Sequence, residues 1–597
     1  MLFTRLTCAL IATLSSATAI RSNTVSHNWE RGPPASPDQT ITLHIALRSE
    51  HEDAAVESLL RTSDPTNEHF RRHLDAVEAH RLSEPARDDV TAVEKWLSDH
   101  DLWESSSMQV GIIEIDTSIA QAEKLLNATY HWFTGSGIED TALVRTESYD
   151  LPEDVAEIVE FVTPTTSFPL LADKNVHPPG AQQPLTKAKR DTCGSNDETT
   201  PTCVRQIYGI DYTAQPNRTT FAVYGTEAAS FNPADLQTYL FKYNPPAAAA
   251  SATFKVVSSD DANSSSSSSI EPKFETSLVT QVSLGLAFPA VGVLYNNGGV
   301  FGPNPGRTYD RFVSFLQELI VNDTVPSVVS FSESLSEDKV DPAYARRVCN
   351  MMAQIGARGV SLLFSSGNNG ANGDSGSGTH NAVFEPKFPA SCPWVTAVGG
   401  TTNLANETAA TQSTLSTFAK TFYTASGGGF SNLFVRPTYQ RRAVSRYIKQ
   451  HVPADYHSVS GFNASGRGIP DVSAFSTGFP TVVSLIPGVP LTVAIGGTSS
   501  ATPLWAAVIA LLNDYEASQG RPPLGFLNPW LYSLRAGIKD ITTGGDNAGA
   551  CNFLGGCRLE KTLGYNVTQG WDPVTGLGSP LWKGLVAALD KRGCSGH

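Results

Sequence analysis

The sequence predicts an α/β protein, a parallel sheet with flanking helices preceded by a smaller α/β domain. Three observations carry that prediction. Short apolar runs, "TFAVYG", "VPSVVSFS", "GVSLLFSSG" and "WVTAVGG", each close on Gly or Ser. Between some of them lie stretches of helical period, "YDRFVSFLQELIVND" and "PAYARRVCNMMAQIGARG". Buried strands alternating with amphipathic helices form parallel sheets covered on both faces. The third observation is that residues 20–190 hold their own, shorter set of strands and helices. At 597 residues the chain is long enough for two or more domains with a substantial core.

Taken in order, the chain opens with "MLFTRLTCALIATLSSATAI", where Arg5 precedes an apolar run and Ala17-Thr18-Ala19 makes a small-x-small cleavage site. Residues 1–19 therefore read as a secretory signal peptide cut after Ala19. No later run is long and apolar enough to span a bilayer. Seven Asn-x-Ser/Thr sequons, at Asn127, Asn217, Asn263, Asn322, Asn406, Asn463 and Asn566, fit an exported chain.

Residues 20–190 form the smaller domain. "TITLHIALR" and "MQVGIIEIDTSI" alternate like strands, and "HEDAAVESLLRTS" and "RDDVTAVEKWLSDH" have helical spacing. The domain ends in "VHPPGAQQPLTKAKRDTC", rich in Pro, Gly and Gln and then basic, which reads as an exposed linker. Lys189-Arg190 is a dibasic processing site, which makes this domain a removable propeptide. The main domain runs over 191–597. "NSSSSSS" (263–269) is a low-complexity loop within it.

Of eight cysteines, Cys8 leaves with the signal. The spacing suggests local bridges Cys193/Cys203 and Cys551/Cys557, a longer Cys349/Cys392 bridge, and Cys594 left over; sequence alone does not determine connectivity. No spacing matches a zinc site, and there is no His-Glu-x-x-His. Lys plus Arg number 43 against 58 Asp plus Glu, a net charge of −15. That balance argues against nucleic acid and anionic membrane as partners.

Active sites of parallel sheets gather at the carboxyl ends of the strands, here the tips "SSGNNG", "VGGT" and "IGGTS". The last belongs to "AIGGTSSATPLW" (494–505). Its glycines permit a sharp turn, Pro503 fits the first helical position, and Ser499 would sit at a helix N-terminus. Taken alone, the stretch reads first as a helix cap, because capping serines outnumber nucleophiles.

The order of motifs changes that reading. "SDPTNEHFRRHL" (63–74), "TCVRQIYGIDY", "KFPASCPWVTAVGGT", "SGGGFSN", "RGIPDVSA", "GGTSSATPLWAAVIALLN" and "GWDPVTGLGSP" follow one another as in the sedolisins. These are the serine-carboxyl peptidases that include tripeptidyl peptidases, and the resemblance covers nearly the whole chain. It implies a subtilisin-like catalytic domain behind a removable prodomain, and acid-active proteolysis through an acyl-enzyme. Ser499 matches the nucleophile position. In this family a Glu takes the serine proton, an Asp one helical turn later supports that Glu, and a second, protonated Asp helps form the oxyanion hole. A carboxylate base stays charged at pH values where histidine is protonated.

Two positions depart from that pattern. The Glu motif aligns as "FETSLVTQVSLGLA", which puts Glu275 on the base position with Leu278 and Gln281 in register. Where the family has Asp, this chain has Val279, which neither accepts nor donates a hydrogen bond. Glu271, one turn the other way, would need a helix extended past Pro272, which argues against it. After "VSLLF" the family reads Ser-Gly-Asp and this chain reads Ser366-Gly367-Asn368. Asn donates at any pH, so Asn368 is the oxyanion candidate, with Asp374 as the alternative if the loop carries an insertion. "GDSGSG" around Ser375 imitates another protease motif, but no matching histidine motif accompanies it.

The resemblance also implies one calcium ion near the C-terminus. Asp540 and Ile541 match the first half of its site, and Asp572, with carbonyls around Thr568 and Gly570, matches the second. Oxygen-only ligands with two carboxylates suit Ca²⁺. The sequence thus points to a secreted, monomeric serine-carboxyl peptidase, with an acidic vacuole or lysosome as the alternative location. Its partners are peptide or unfolded protein substrates and its own prodomain. Val279 makes impaired catalysis the expectation, and an inactive relative acting as a binding protein is the competing reading.

Overall fold

The computed structural model describes residues 17–21, 29–51, 53–135, 142–166, 193, 198–225, 231–258, 271–296, 311–372, 383–411, 413–416, 421–486, 488–548 and 563–593. The Lys189-Arg190 site, the 263–269 loop, Asp374, Ser375, Cys551, Cys557 and Cys594 lie outside the described residues. Ala17–Arg21 pairs antiparallel with Ser148–Pro152, so a strand straddles the expected signal cut. The chain forms two compact units.

The first unit is built mainly from residues up to Glu50 and from Glu84 to Phe168. Its four-stranded sheet runs in the order Ser106–Gln109, Ile112–Ser118, Thr40–Leu47, Val159–Thr163. Along Ile112–Ser118, Ile113, Ile115 and Thr117 are buried while Glu114 and Asp116 are exposed, the period of two that a half-buried strand requires. Helices Arg87–Ser98 and Ile119–Leu126 supply Val93, Leu97, Ala122 and Leu126 to the same core.

The second unit holds an eight-stranded sheet. Its parallel part runs Phe254–Ser258, Val291–Asn296, Thr220–Gly225, Val328–Phe331, Ser361–Ser365, Thr396–Thr402, Val472–Phe475. Val328–Phe331 and Ser361–Ser365 are buried at every residue, as strands covered on both faces must be. Helices Glu271–Ala287 and Thr498–Ser518 pack on each other, and the second also packs on the central strands. The four short apolar runs and the two helices read from the sequence all appear. So do two of the expected disulfides, Cys193–Cys203 and Cys349–Cys392.

One segment differs from a continuous N-terminal domain. Residues 51–83 cluster with the second unit. Helix Ala54–Ser63 lies on helix Pro342–Ala357, and buried Leu59 occupies the space over Gly356, where a Cβ would come within 2.6 Å of its side chain. The Leu74 N–H donates to the Ala357 carbonyl at 2.9 Å. Arg71 pairs with fully buried Glu516 and donates to the Pro523 carbonyl at 3.1 Å. His73 meets that same carbonyl at 2.8 Å through Nε2. The "SDPTNEHFRRHL" motif is therefore a docking strap.

Candidate active site

The turn before Ser499 is set by two glycines. A Cβ on Gly496 would lie 2.4 Å from the Ser476 carbonyl oxygen, and Gly497 has φ +125°, which L side chains rarely adopt. The Gly497 N–H donates to Ser476 O at 2.6 Å. The helix then begins at Thr498, so Pro503 is not its first residue as expected but lies inside it. The reason is local. Proline lacks the N–H that would bond four residues back, so the Ser499 carbonyl loses its helical donor. The Ser332 hydroxyl donates to that carbonyl instead, at 3.3 Å. Ser332 directly follows the central strand Val328–Phe331. The helix starts at Thr498, and Ser499 is buried in its first turn.

Asn368 arrives from the neighbouring strand tip after Ser361–Ser365. Its Oδ1 accepts from the Thr498 N–H at 2.7 Å and from Thr498 Oγ1 at 3.0 Å. A backbone N–H can only donate, so the atom facing it is the carbonyl oxygen of the amide, and Nδ2 is the side chain's donor group. The loop is held by "SGGG": the Gly427 N–H donates to Gly367 O at 2.8 Å, and a Cβ on Gly427 would strike the Ser366 carbonyl at 2.1 Å.

Glu275 projects from helix Glu271–Ala287. The helix does extend past Pro272, contrary to the sequence argument, because proline is tolerated in a first turn whose N–H groups have no helical partner. The Glu271 side chain lies outside the described residues. Gln281 fixes the register: its amide donates to Val482 O at 2.7 Å and accepts from Val482 N at 2.8 Å. Val279 is buried in the apolar core beside Leu278 and Val282 and supports no polar contact to Glu275 through its side chain.

Glu275 is buried, and neither carboxylate oxygen meets a partner at hydrogen-bond geometry. The Ser499 and Ser332 hydroxyls lie near enough to favour its charged form, through contacts looser than a well-aligned hydrogen bond. Burial and then the charge of Glu333 outweigh them and push the Glu275 carboxyl up to about 8. Glu333 is the residue that sequence reasoning missed. The "SES" around it carries no signal of its own.

The residues expected to hold calcium also come together. The Gly570 N–H donates to Asp540 Oδ2 at 2.8 Å, and the Thr568 N–H to Asp572 Oδ2 at 3.0 Å. Asp572 Oδ1 accepts from Val574 N and Thr575 N at 3.0 and 2.9 Å. Ile541, next to Asp540, is buried. Burial pushes the Asp572 carboxyl up to about 7 against those hydrogen bonds, and Asp540 shifts upward for the same reason. The Thr568 hydroxyl is buried with no partner.

Comparison with known proteins agrees with this geometry. Residues 27–168 match the family described as Pro-kumamolisin, activation domain, and residues 320–529 match the Subtilase family. Tripeptidyl-peptidase sed4 of Aspergillus fumigatus is 32% identical over 95% of this chain and 95% of its own length. Tripeptidyl-peptidase SED4 of Arthroderma otae is 30% identical over 94% of this chain and 92% of its own. In fold, the chain is similar to Pseudomonas sedolisin, a serine-carboxyl proteinase, with a TM-score of 0.50 and 23% identity over 66% of this chain and 99% of that one. A central parallel sheet, a serine at the head of its long helix, a buried Glu beside it and relatives of full length leave one assignment: the chain belongs to the sedolisin family of serine-type peptidases, with a pro-kumamolisin-type activation domain at its N-terminus.

Proposed function

We propose that this chain is a secreted, tripeptidyl-peptidase-like enzyme in which Ser499 attacks, Glu275 is the base and Asn368 holds the oxyanion. The observation that carries the proposal is Glu275 itself. A buried carboxylate with no structural hydrogen bond, set beside a buried serine, serves no packing purpose. Ser499 Oγ bonds to the substrate carbonyl carbon while its proton passes to Glu275. The oxyanion accepts from Asn368 Nδ2. As the C–N bond breaks, Glu275 returns the proton to the leaving amine, and water then releases the acyl group by the same route.

This set favours neutral rather than acid conditions. A base must be deprotonated, and Glu275 is pushed up to about 8, so kcat/KM rises with pH across the neutral range. Asn368 needs no proton to donate. Val279 favours a second reading, a chain that keeps the groove but binds without cleaving, because loss of a base-orienting group costs on the order of 10⁴ in rate. Hydrolysis of tripeptide amides, with and without a free amino terminus, separates the two. Activity absent in Ser499→Ala establishes the enzyme, and a preference for the free terminus establishes tripeptide removal. A silent parent that gains activity as Val279→Asp establishes the binding protein.

The calcium-site residues fit the ion. Two carboxylates and backbone carbonyls make an oxygen-only donor set, with the Thr568 hydroxyl buried and without a hydrogen-bond partner beside it. Asp540 and Asp572 would hold it through carboxylate oxygens, with carbonyls of Ile541, Thr568 and Gly570. The ion would cross-link the 540 and 568–572 loops. EDTA is therefore expected to lower Tm by several degrees, with recovery on added Ca²⁺ and none in Asp572→Asn. A chain indifferent to EDTA would count against the site.

Secretion rests on the N-terminal sequence and agrees with sequons at exposed Asn127, Asn217, Asn322, Asn406 and Asn566. Asn463 is half-buried and spends its amide on Ser431 O at 2.8 Å. No described helix is long and apolar enough to cross a membrane.

A further inference from the structure

The turn that carries Asn368 is not held by a regular ladder of its own. Gly367 and Gly370, on either side of Asn368, have φ of +99° and +63°. The backbone bonds of the turn cross instead to segment 425–427. The Ala425 N–H donates to Asn368 O at 2.9 Å, the Gly370 N–H to Ala425 O at 3.0 Å, and the Gly427 N–H to Gly367 O at 2.8 Å. Asn368 is therefore placed only as well as that segment is.

Asn547, a fully buried side chain on the 540–548 loop, grips the segment. Its Nδ2 donates to Ser426 O at 3.1 Å and to Pro573 O at 3.2 Å, and its Oδ1 accepts from the Tyr565 N–H at 2.8 Å. Carbonyls only accept and a backbone N–H only donates, so the orientation of this amide is determined and both its N–H bonds are used. The Asn547 carbonyl accepts from the Ala371 N–H at 3.1 Å, and it lies so close to Gly370 that a Cβ there would come within 2.2 Å of it. Ser426 is tied to the same neighbour as Asn547: its hydroxyl donates to Val574 O at 2.7 Å. One residue thus touches the turn, the segment on which the turn hangs, and the 572–575 loop. We propose that Asn547 is a positioning residue for the oxyanion donor, fixing segment 425–427, and through it Asn368, against the 572–575 loop. The inference rests on Asn368 meeting the oxyanion. Such a donor has to be held to within about 0.5 Å of its working position. Without the Asn547 amide, two carbonyls lose a donor, and segment and turn relax together.

The test separates oxyanion stabilisation from folding. Ser499 Oγ adds to the carbonyl carbon of a tripeptide aldehyde, its proton passing to Glu275 and the carbonyl electron pair to the oxygen that meets Asn368 Nδ2. The matched tripeptide alcohol fills the same groove and forms no oxyanion. Asn547→Asp keeps size and acceptor but turns an oxygen toward the two carbonyls. In this variant, inhibition by the aldehyde is expected to weaken about 10–100-fold, the scale of a misplaced group, with inhibition by the alcohol unchanged. Equal weakening of both, or weakening of neither, means a merely structural role and overturns the proposal. Hydrogen exchange reads the turn without activity. In the Ser499→Ala background, Asn547→Asp is expected to strip protection from the amides of 366–371 and 425–427; unchanged protection overturns the proposal even if the chain does not cleave. If Asn547→Asp does not fold, exchange of the unsubstituted chain in dilute urea decides: 366–371, 425–427 and 546–547 are expected to lose protection together, and separate loss overturns the proposal. Failure of the underlying reading looks different: a preference for aldehyde over alcohol that is absent in the parent, or that survives Asn368→Ala, means that Asn368 meets no oxyanion, whatever Asn547 does to the turn.

Discussion

Asn368 and Glu275 shift the site's pH logic in the same direction. An aspartic acid at position 368 donates only while protonated, whereas the amide donates throughout. Asn368→Asp keeps the acceptor for the Thr498 N–H but ties the donor to a proton. Its kcat is expected to fall about 10²–10³-fold above neutrality and to recover in acid, the size of losing one oxyanion donor. A kcat–pH profile parallel to the parent's would mean that Asn368 does not face the oxyanion. The base works in the opposite sense, gaining charge as pH rises, so in that variant the two groups would be competent together only in a narrow window.

Elements meet at the Ser332–Ser499 contact, which trades a helical hydrogen bond for a side-chain one. Ser332→Ala leaves a buried carbonyl without its donor and is expected to cost about 1–3 kcal/mol. Pro503→Ala restores the N–H that the helix would use. In the double variant most of that cost should return, giving a favourable coupling energy of about 1 kcal/mol in a denaturation cycle. Simple additivity would show that the two groups do not serve the same carbonyl. The same cycle read by kcat/KM reports whether the Ser332 contact positions Ser499 for catalysis.

On the scale of the whole molecule, the 51–83 strap carries a buried, titratable contact at His73. Burial, with Arg71 alongside, holds the His73 imidazole below its ordinary pKa, while its contact to Pro523 O pulls the other way. Docked His73 is therefore neutral, and an undocked one titrates near about 6.5. The docking contribution is complete above that pH and is lost progressively as pH falls below it. Arg71 and Arg521, both paired with buried Glu516, add a charged contact to the docked strap. After cleavage at the linker, gel filtration should show the N-terminal piece retained at neutral pH and released faster in acid, with the acid effect removed in His73→Gln. Equal release by both chains at every pH would exclude His73 as the sensor.

Much of this was legible in the chain. The strands "TFAVYG" and "GVSLLFSSG" and the sharp turn before Ser499 follow from local pattern, because burial on both faces and tight glycine turns restrict composition at each position, while the roles proposed for Ser499, Glu275 and the calcium aspartates rest on the order of motifs. Pro503 misled as a helix start because its effect depends on what replaces the bond it removes. That donor, Ser332, is 167 residues away. The arrangement that seats Ser332 on the Ser499 carbonyl had no sequence signature, since it comes from the parallel alignment of Val328–Phe331 beside Ser361–Ser365 and from the packing of two helices. Sequence alone determined the element types, the motif order that proposes Ser499 and Glu275, and the absence of an acid at position 279. Tertiary structure alone decided that Glu275 is buried and that Ser332 meets the Ser499 carbonyl, because burial and contact depend on distance through the fold, not on separation along the chain.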